Sequence, residues 1–219
     1  MDASLNLVEH TLSQQPQPSF AGWLPDVPTL LSTRLQLELL LKESQVDLHA
    51  LSEVILADVG ATLQIFRLIG EENPLEEDRP TRMEDCIASL NFERWYDLVC
   101  VSSMPQQEGL LAEWERWRRV ALYARELARI VDGFAPEEAY LIGLLLNLAK
   151  LPQLLGWQRA GSAEEQLDLG LVLAEYWHLP RYLMDAIREL QHSVHSCRWT
   201  EMLQLAQSLA DQSDPAHAS

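Results

Sequence analysis

Apolar residues recur along this chain at intervals of three and four, so helices are predicted almost everywhere. "TLLSTRLQLELLLKE" (29–43) places Leu at 30, 31, 35, 37, 39, 40 and 41, a broad apolar stripe. "DLHALSEVILADVGATLQIFRLIG" (47–70) predicts two short helices broken near Asp58–Gly60, with Gly70 as a stop. In "TRMEDCIASL" (81–90), Thr81 and Glu84 stand at capping-box spacing, and "NFERWYDLVCVSS" (91–103) follows as another short helix. "EGLLAEWERWRRVALYARELARIVDG" (108–133) predicts a long helix ended by Gly133. Pro136 opens the next, "PEEAYLIGLLLNLAKL", with two acids in its first turn as the helix dipole favours. Ser162 and Glu165 form a second capping-box pair, Pro180 opens "RYLMDAIRELQH", and a last helix is expected near 198–211. No stretch alternates with period two and no internal repeat is present, so the expected class is all-α, about ten mostly short helices. "QQPQPS" (14–19) reads as a linker that separates a short N-terminal helix, and the acidic "EENPLEEDRP" (71–80) reads as an exposed loop.

One run breaks the pattern. "LIGLLLNLAKL" (141–151) is apolar except for Asn147 and Lys150, three residues apart. A solvated edge, a buried polar brace and the remains of an active site are all open readings of this pair.

Charge narrows the functions available. The chain of 219 residues has a formal net charge of −17, which opposes non-specific attraction to nucleic acid or to anionic membranes. Its one dense basic stretch, "RWRRVALYARELAR" (116–129), is expected to be a solvated face balanced by nearby acids. Cys86, Cys100 and Cys197 are odd in number and far apart, which argues against a disulfide framework. The first residues lack a signal-peptide pattern, and the longest apolar run is too short to span a bilayer. These features predict a soluble cytoplasmic protein. "HSVHSC" sets His192 and His195 three residues apart with Cys197 nearby, but lacks a further Cys ligand, so loop or surface histidines are expected. There is no GxSxG, glycine-rich phosphate loop or HExxH. Trp114, Trp117, Trp157, Trp177 and Trp199 are expected to fill gaps between short helices.

Five stretches, taken in order, resemble the HDOD domain, a helical bacterial signalling module related to His-Asp metal phosphohydrolases. They are the Leu-Pro opening and paired helices of 24–70, the pair within 78–102, and the two long central helices of 113–151. The Trp-x-Leu-Pro turn within 167–193 and the terminal "MLQLAQSLAD" complete the set. The resemblance implies an HD-like helical bundle over 24–211, preceded by an N-terminal extension (1–23) and followed by a flexible tail (212–219). In the catalytic relatives the central helix reads roughly Leu-His-Asp-Ile-Gly-Lys. Here Leu146 stands in place of the His, Asn147 in place of the Asp, Ala149 in place of the Gly, and Lys150 is kept. The same registration sets Arg116 where the first helical His would be, Gln166 at a later His, and Gln207 at the terminal-helix Asp.

Metal-assisted hydrolysis needs imidazole and carboxylate ligands that converge on a divalent cation. Leu cannot ligate, neutral amides are weak ligands, and a guanidinium repels a metal. The resemblance therefore implies a vestigial pocket at Arg116, Leu146, Asn147, Lys150, Gln166 and Gln207, with no metal and no cofactor. Arg116, Asn147 and Gln207 are expected to satisfy one another and acids such as Asp168 as a polar plug. The expected function is a non-catalytic module of bacterial signal transduction that binds a partner protein, such as a kinase, receiver or other regulatory domain. Nucleic acid and membrane are not expected partners. Two alternatives stay open: a sensor holding a nucleotide or other anion through Arg116 and Lys150, and a residual metal-dependent phosphohydrolase. The N-terminal segment, with Leu5, Leu7, Val8, Leu12 and Phe20, is expected to dock on its own core.

Overall fold

The periodic segments become eleven α-helices and two short 3-10 helices in a computed structural model that describes residues 27–101, 108–156, 163–192 and 198–213. The order is α1 (Leu31–Leu40), α2 (Leu48–Leu56), α3 (Val59–Glu72), the 3-10 helix η1 (Glu76–Asp78), α4 (Met83–Ser89), α5 (Phe92–Val101) and α6 (Glu108–Ile130). Then come α7 (Pro136–Leu145), the 3-10 helix η2 (Leu148–Lys150), α8 (Leu151–Leu154), α9 (Ala163–Tyr176), α10 (Arg181–His192) and α11 (Arg198–Gln212). No strand occurs among the described residues, so the all-α expectation holds. The expected N-terminal extension, the tail beyond Ser213, the Ser162 cap, Trp157, His195 and Cys197 lie outside the described residues.

Helix α3 is the centre of the N-terminal half. Between Val59 and Gly70 every residue but Arg67 is buried, so this helix is enclosed on nearly all sides. Leu63, Ile65, Phe66 and Ile69 are each at most 1% exposed. Full burial of such side chains stabilises by about 1.5–3 kcal/mol apiece. The expected break before this helix falls at Ala57–Asp58, where Asp58 caps α3 through Gly60 and Ala61 N–H.

Gly70, expected as a stop, instead lies inside α3 and supplies a notch. A Cβ at that position would come within 2.0 Å of His178 Cγ. His178 has φ 51°, left-handed for a residue other than glycine. Its N–H donates to Glu175 O (3.0 Å) and Leu179 N–H donates to Ala174 O (3.0 Å). This is a Schellman ending for α9 with histidine where glycine is usual. The imidazole fills the notch that Gly70 leaves, which accounts for a side chain at a position that favours none.

The central hairpin of α6 and α7 turns at Gly133 (φ 91°) and packs by close backbone approach. A Cβ on Gly143 would lie 2.9 Å from Ala121 Cα and 3.2 Å from Ala124 Cβ. Three of the tryptophans expected in the core, Trp114, Trp117 and Trp177, are buried, as is Trp95. Trp114 and Trp117 stack with centroids 5.6 Å apart. Trp199 is half-buried and meets Phe134 edge-on at 4.6 Å.

Three further expectations change. The Thr81–Glu84 capping box does not form, because α4 begins one residue later, with Arg82 as an N-cap whose side chain makes no capping bond. Glu84 turns instead to His49. The broad stripe of 29–43 is only partly used, since α1 buries Thr33 and Leu37 while Leu31, Leu35 and Leu39 remain exposed. Finally, 141–151 is not one helix. It ends at Leu145, passes through Asn147 (φ −97°, ψ 21°), and restarts as η2 and α8. Pro152 sits at the start of α8, where a missing N–H costs least, and it disfavours a continuous helix through this point.

Candidate functional site

The residues that the resemblance sets in place of metal ligands are spread over α6, α9, α11 and the break after α7. Arg116, in the third turn of α6, meets Asp211 on the last turn of α11. Its Nε donates to Asp211 Oδ1 at 2.9 Å and Nη2 donates to Oδ2 at 3.2 Å. This two-point geometry fixes the fork of the guanidinium against the carboxylate. Gln207 lies one turn before Asp211 on α11 and is half-buried. Leu146 is half-buried and packs on the core, Asn147 lies at the helix break, and Lys150 is exposed at the end of η2. Helix α9 packs against η2. Gln166 belongs to α9, but its side chain and that of Asp168 lie outside the described residues.

The share of Asp168 in the expected polar plug lies outside the described residues. Arg116 pairs with the Asp211 carboxylate, a stronger acceptor for a guanidinium than a neutral amide. Asn147 Nδ2 is buried without an acceptor. The donor set also fails as a metal cradle. Arg116 brings fixed positive charge, and Leu146 and Asn147 offer no anionic ligand. Among the described residues no group of three His, Cys, Asp or Glu side chains is placed to hold a metal ion.

A second feature, buried and polar, organises the scaffold rather than chemistry. Asp58 is fully buried at the junction of α2 and α3. Its Oδ1 accepts from Gly60 N (2.9 Å), Ala61 N (3.3 Å) and Trp114 Nε1 (3.1 Å), and its Oδ2 accepts from Leu30 N (2.7 Å). Burial pushes the Asp58 carboxyl above its ordinary range, while these donors and Thr33 pull it down. Each of these groups donates, so the arrangement suits the carboxylate. The residue ties α1, α3 and α6 together. Near it, the Thr29 hydroxyl donates to Val99 O, and Gln64 Nε2 donates to Val27 O at 3.2 Å.

The third feature was missed in the sequence. A cleft of about 550 Å³ opens where α2, α4, α6, α7 and α10 meet. Tyr140, Leu141, Met83 and Tyr182 line it, with charged residues from all but the last of these helices. His49 Nδ1 bonds Glu84 Oε1 at 2.7 Å, and this bond holds the exposed imidazole above its ordinary proton affinity. Arg125 pairs with Glu53 at 3.2 Å and lies 5.0 Å over the Tyr140 ring. The Tyr140 hydroxyl donates to Leu56 O at 3.0 Å, and burial pushes it up to about 12. Burial raises Tyr182 too, and the nearby Glu138 carboxylate adds to the effect. The basic stretch 116–129 is balanced by acids as expected: Arg118 pairs with Glu115 (3.6 Å), Arg125 with Glu53, and Arg129 with Glu126 (2.7 Å). No local motif marks this cleft, because its residues come from five separate helices. The adjacent acids at the start of α7 were its only visible sign, and they serve a helix N-terminus equally well.

No protein-family model matches the chain, and no curated protein matches it by sequence. Similarity appears among solved structures. A crystal structure of the MmoQ response regulator from Methylococcus capsulatus str. Bath matches with a TM-score of 0.67 and 21% identity, covering 87% of this chain and 88% of that one. A second, of fragment 20–298 of the same protein, matches with a TM-score of 0.67 and 21% identity over 86% and 85%. The chain therefore shares the all-helical fold of MmoQ over most of both lengths.

Proposed function

We propose that this chain is an HDOD-type, non-catalytic regulatory module of bacterial signal transduction that works by binding another protein. The observation that carries the reading is the Arg116–Asp211 pair. A guanidinium held by two bonds occupies a position aligned with a metal ligand of the catalytic relatives. The likeness to MmoQ, described as a response regulator, supports a signalling context. Exposed apolar residues support action through contacts. Leu31, Leu35 and Leu39 recur every fourth position of α1, on one exposed face. No helix among the described residues is long and apolar enough to cross a membrane.

An anion sensor built on Arg116 and Lys150 has less support, since Asp211 already neutralises Arg116 and Lys150 is exposed. Purified protein assayed with manganese against bis-p-nitrophenyl phosphate and cyclic dinucleotides tests the reading. It predicts turnover no greater than that of the Asp211→Ala variant and of buffer. Turnover that disappears on replacing Asp211 would sink it and restore a hydrolase.

A further inference from the structure

We propose that the leucine face of α1 is the seat of this chain's own N-terminal segment, which packs there as the first arm of a helical hairpin and covers a surface that a partner must uncover. The proposal deepens the interaction-module reading and rests on it. Helix α1 carries more apolar surface than the core takes up. Leu37 is fully buried, and Leu30, Leu40 and Leu41 pack partly on the core. Leu31, Leu35 and Leu39 stay 45%, 50% and 65% exposed. A step of four residues carries a helix about 40° past a full turn, so these three lie within about 80° of one another, on the side away from Leu37. They form a solvent-facing apolar seam about 12 Å long.

The sequence ahead of Val27, outside the described residues, supplies a matching seam. Leu5, Val8 and Leu12 recur at intervals of three and four, the spacing of one apolar edge of a helix about 10 Å long. Pro16 and Pro18 disfavour continuing that helix and leave residues 13–26 as the connection. Fully extended, the connection reaches about 45 Å, whereas packed helices lie only about 8–10 Å apart. Its far end is fixed beside the seam. Val27 O accepts from Gln64 Nε2 at 3.2 Å, and Leu31 follows four residues later. Antiparallel pairing then sets Leu12 by Leu31, Val8 by Leu35 and Leu5 by Leu39, and brings Asp2 level with Lys42, its opposite in charge. A second copy fits this face less well. Three part-exposed leucines fall far short of the roughly 800 Å² per partner that stable dimers bury. A tethered segment needs less area, because its linkage holds it at an effective concentration on the order of millimolar.

The test is NMR on the intact chain with labelled leucine, isoleucine and valine methyl groups. The proposal expects nuclear Overhauser contacts between the methyl groups of Val8 and Leu35, and of Leu12 and Leu31, within one chain. In Val8→Asp these contacts should be lost and the Leu31, Leu35 and Leu39 signals should shift. The buried Leu63 and Leu144 signals should hold their positions there and so report an intact fold. An equal mixture of labelled and unlabelled chains separates the copies, and contacts that cross between chains would give the face to a second copy and overturn the proposal. Contacts from Val8 to Ile130, Val131 or Leu205, exposed apolar residues at the end of α6 and on α11, would overturn it as well. So would no contact at all, or α1 signals indifferent to Val8→Asp. Those failures leave the phosphodiesterase result, and with it the non-catalytic reading, untouched.

Discussion

Asp58 ties three parts of this fold together with one polar side chain. Four N–H groups from three parts of the chain converge on its carboxylate. Asp58→Asn would turn one acceptor into a donor that faces those N–H groups. Each buried donor so abandoned costs about 1–3 kcal/mol. We expect a loss of about 3 kcal/mol or more in urea denaturation, and a loss below about 1 kcal/mol would contradict the role assigned here. Gly70 and His178 form a second residue-scale test. Gly70→Ala forces a methyl group into the imidazole and should destabilise by about 1–3 kcal/mol. In the background of His178→Gly the same change should cost little, because the obstacle is gone and glycine accepts the left-handed φ. Additive losses in the double variant would contradict the notch.

His178 also sets a pH dependence. Burial, with Arg79 and Arg67, lowers its proton affinity below the ordinary 6.5, against the opposing pull of Glu71. The unfolded chain then binds the proton more readily, so stability falls as pH drops through 6.5 towards the folded value. His49 is raised by Glu84 and acts in the opposite sense, but it is fully exposed and contributes little. The difference in urea midpoint between about pH 7.5 and 5.5 should shrink in His178→Asn, since asparagine tolerates the same backbone. An unchanged difference would assign the dependence elsewhere.

At the scale of elements, periodicity located nearly every described helix, because burial on one face leaves a mark that local sequence preserves. Junctions were less legible. Thr81 and Glu84 have the spacing of a cap, yet His49 from another helix takes Glu84. Gly70 has the look of a stop, yet its lack of a side chain serves an approach from α9 that no local pattern reveals. The apolar run 141–151 hides a break, because both of its halves are buried and period alone does not separate them. Arg116 stood out in the sequence as a candidate, but its partner did not. Asp211 is distant in sequence and one turn beyond the residue expected to matter. The α6–α7 hairpin gives the element-scale prediction. Gly143→Val would drive side-chain atoms into the Ala121 backbone, 2.9 Å from the first added carbon. Separating these helices should cost about 3 kcal/mol, at the upper end of overpacking, and lower the thermal midpoint by several degrees. A neutral variant would show that the helices are not so close.

At the scale of the whole molecule, a strong net negative charge and a helical fold shared with MmoQ stand together with a guanidinium–carboxylate pair that joins α6 to α11. The cleft of five helices and the exposed leucines of α1 offer surfaces for contacts, while Arg116 and Asp211 close one another off. The central claim is that this arrangement works without a catalytic metal. Elemental analysis of the chain, purified without chelator or metal affinity resin, tests it most directly. The account predicts iron, manganese and zinc each well below one atom per chain, and a thermal midpoint unmoved by added manganese. One atom of iron or manganese per chain, lost together with stability on replacing Asp211, would contradict it.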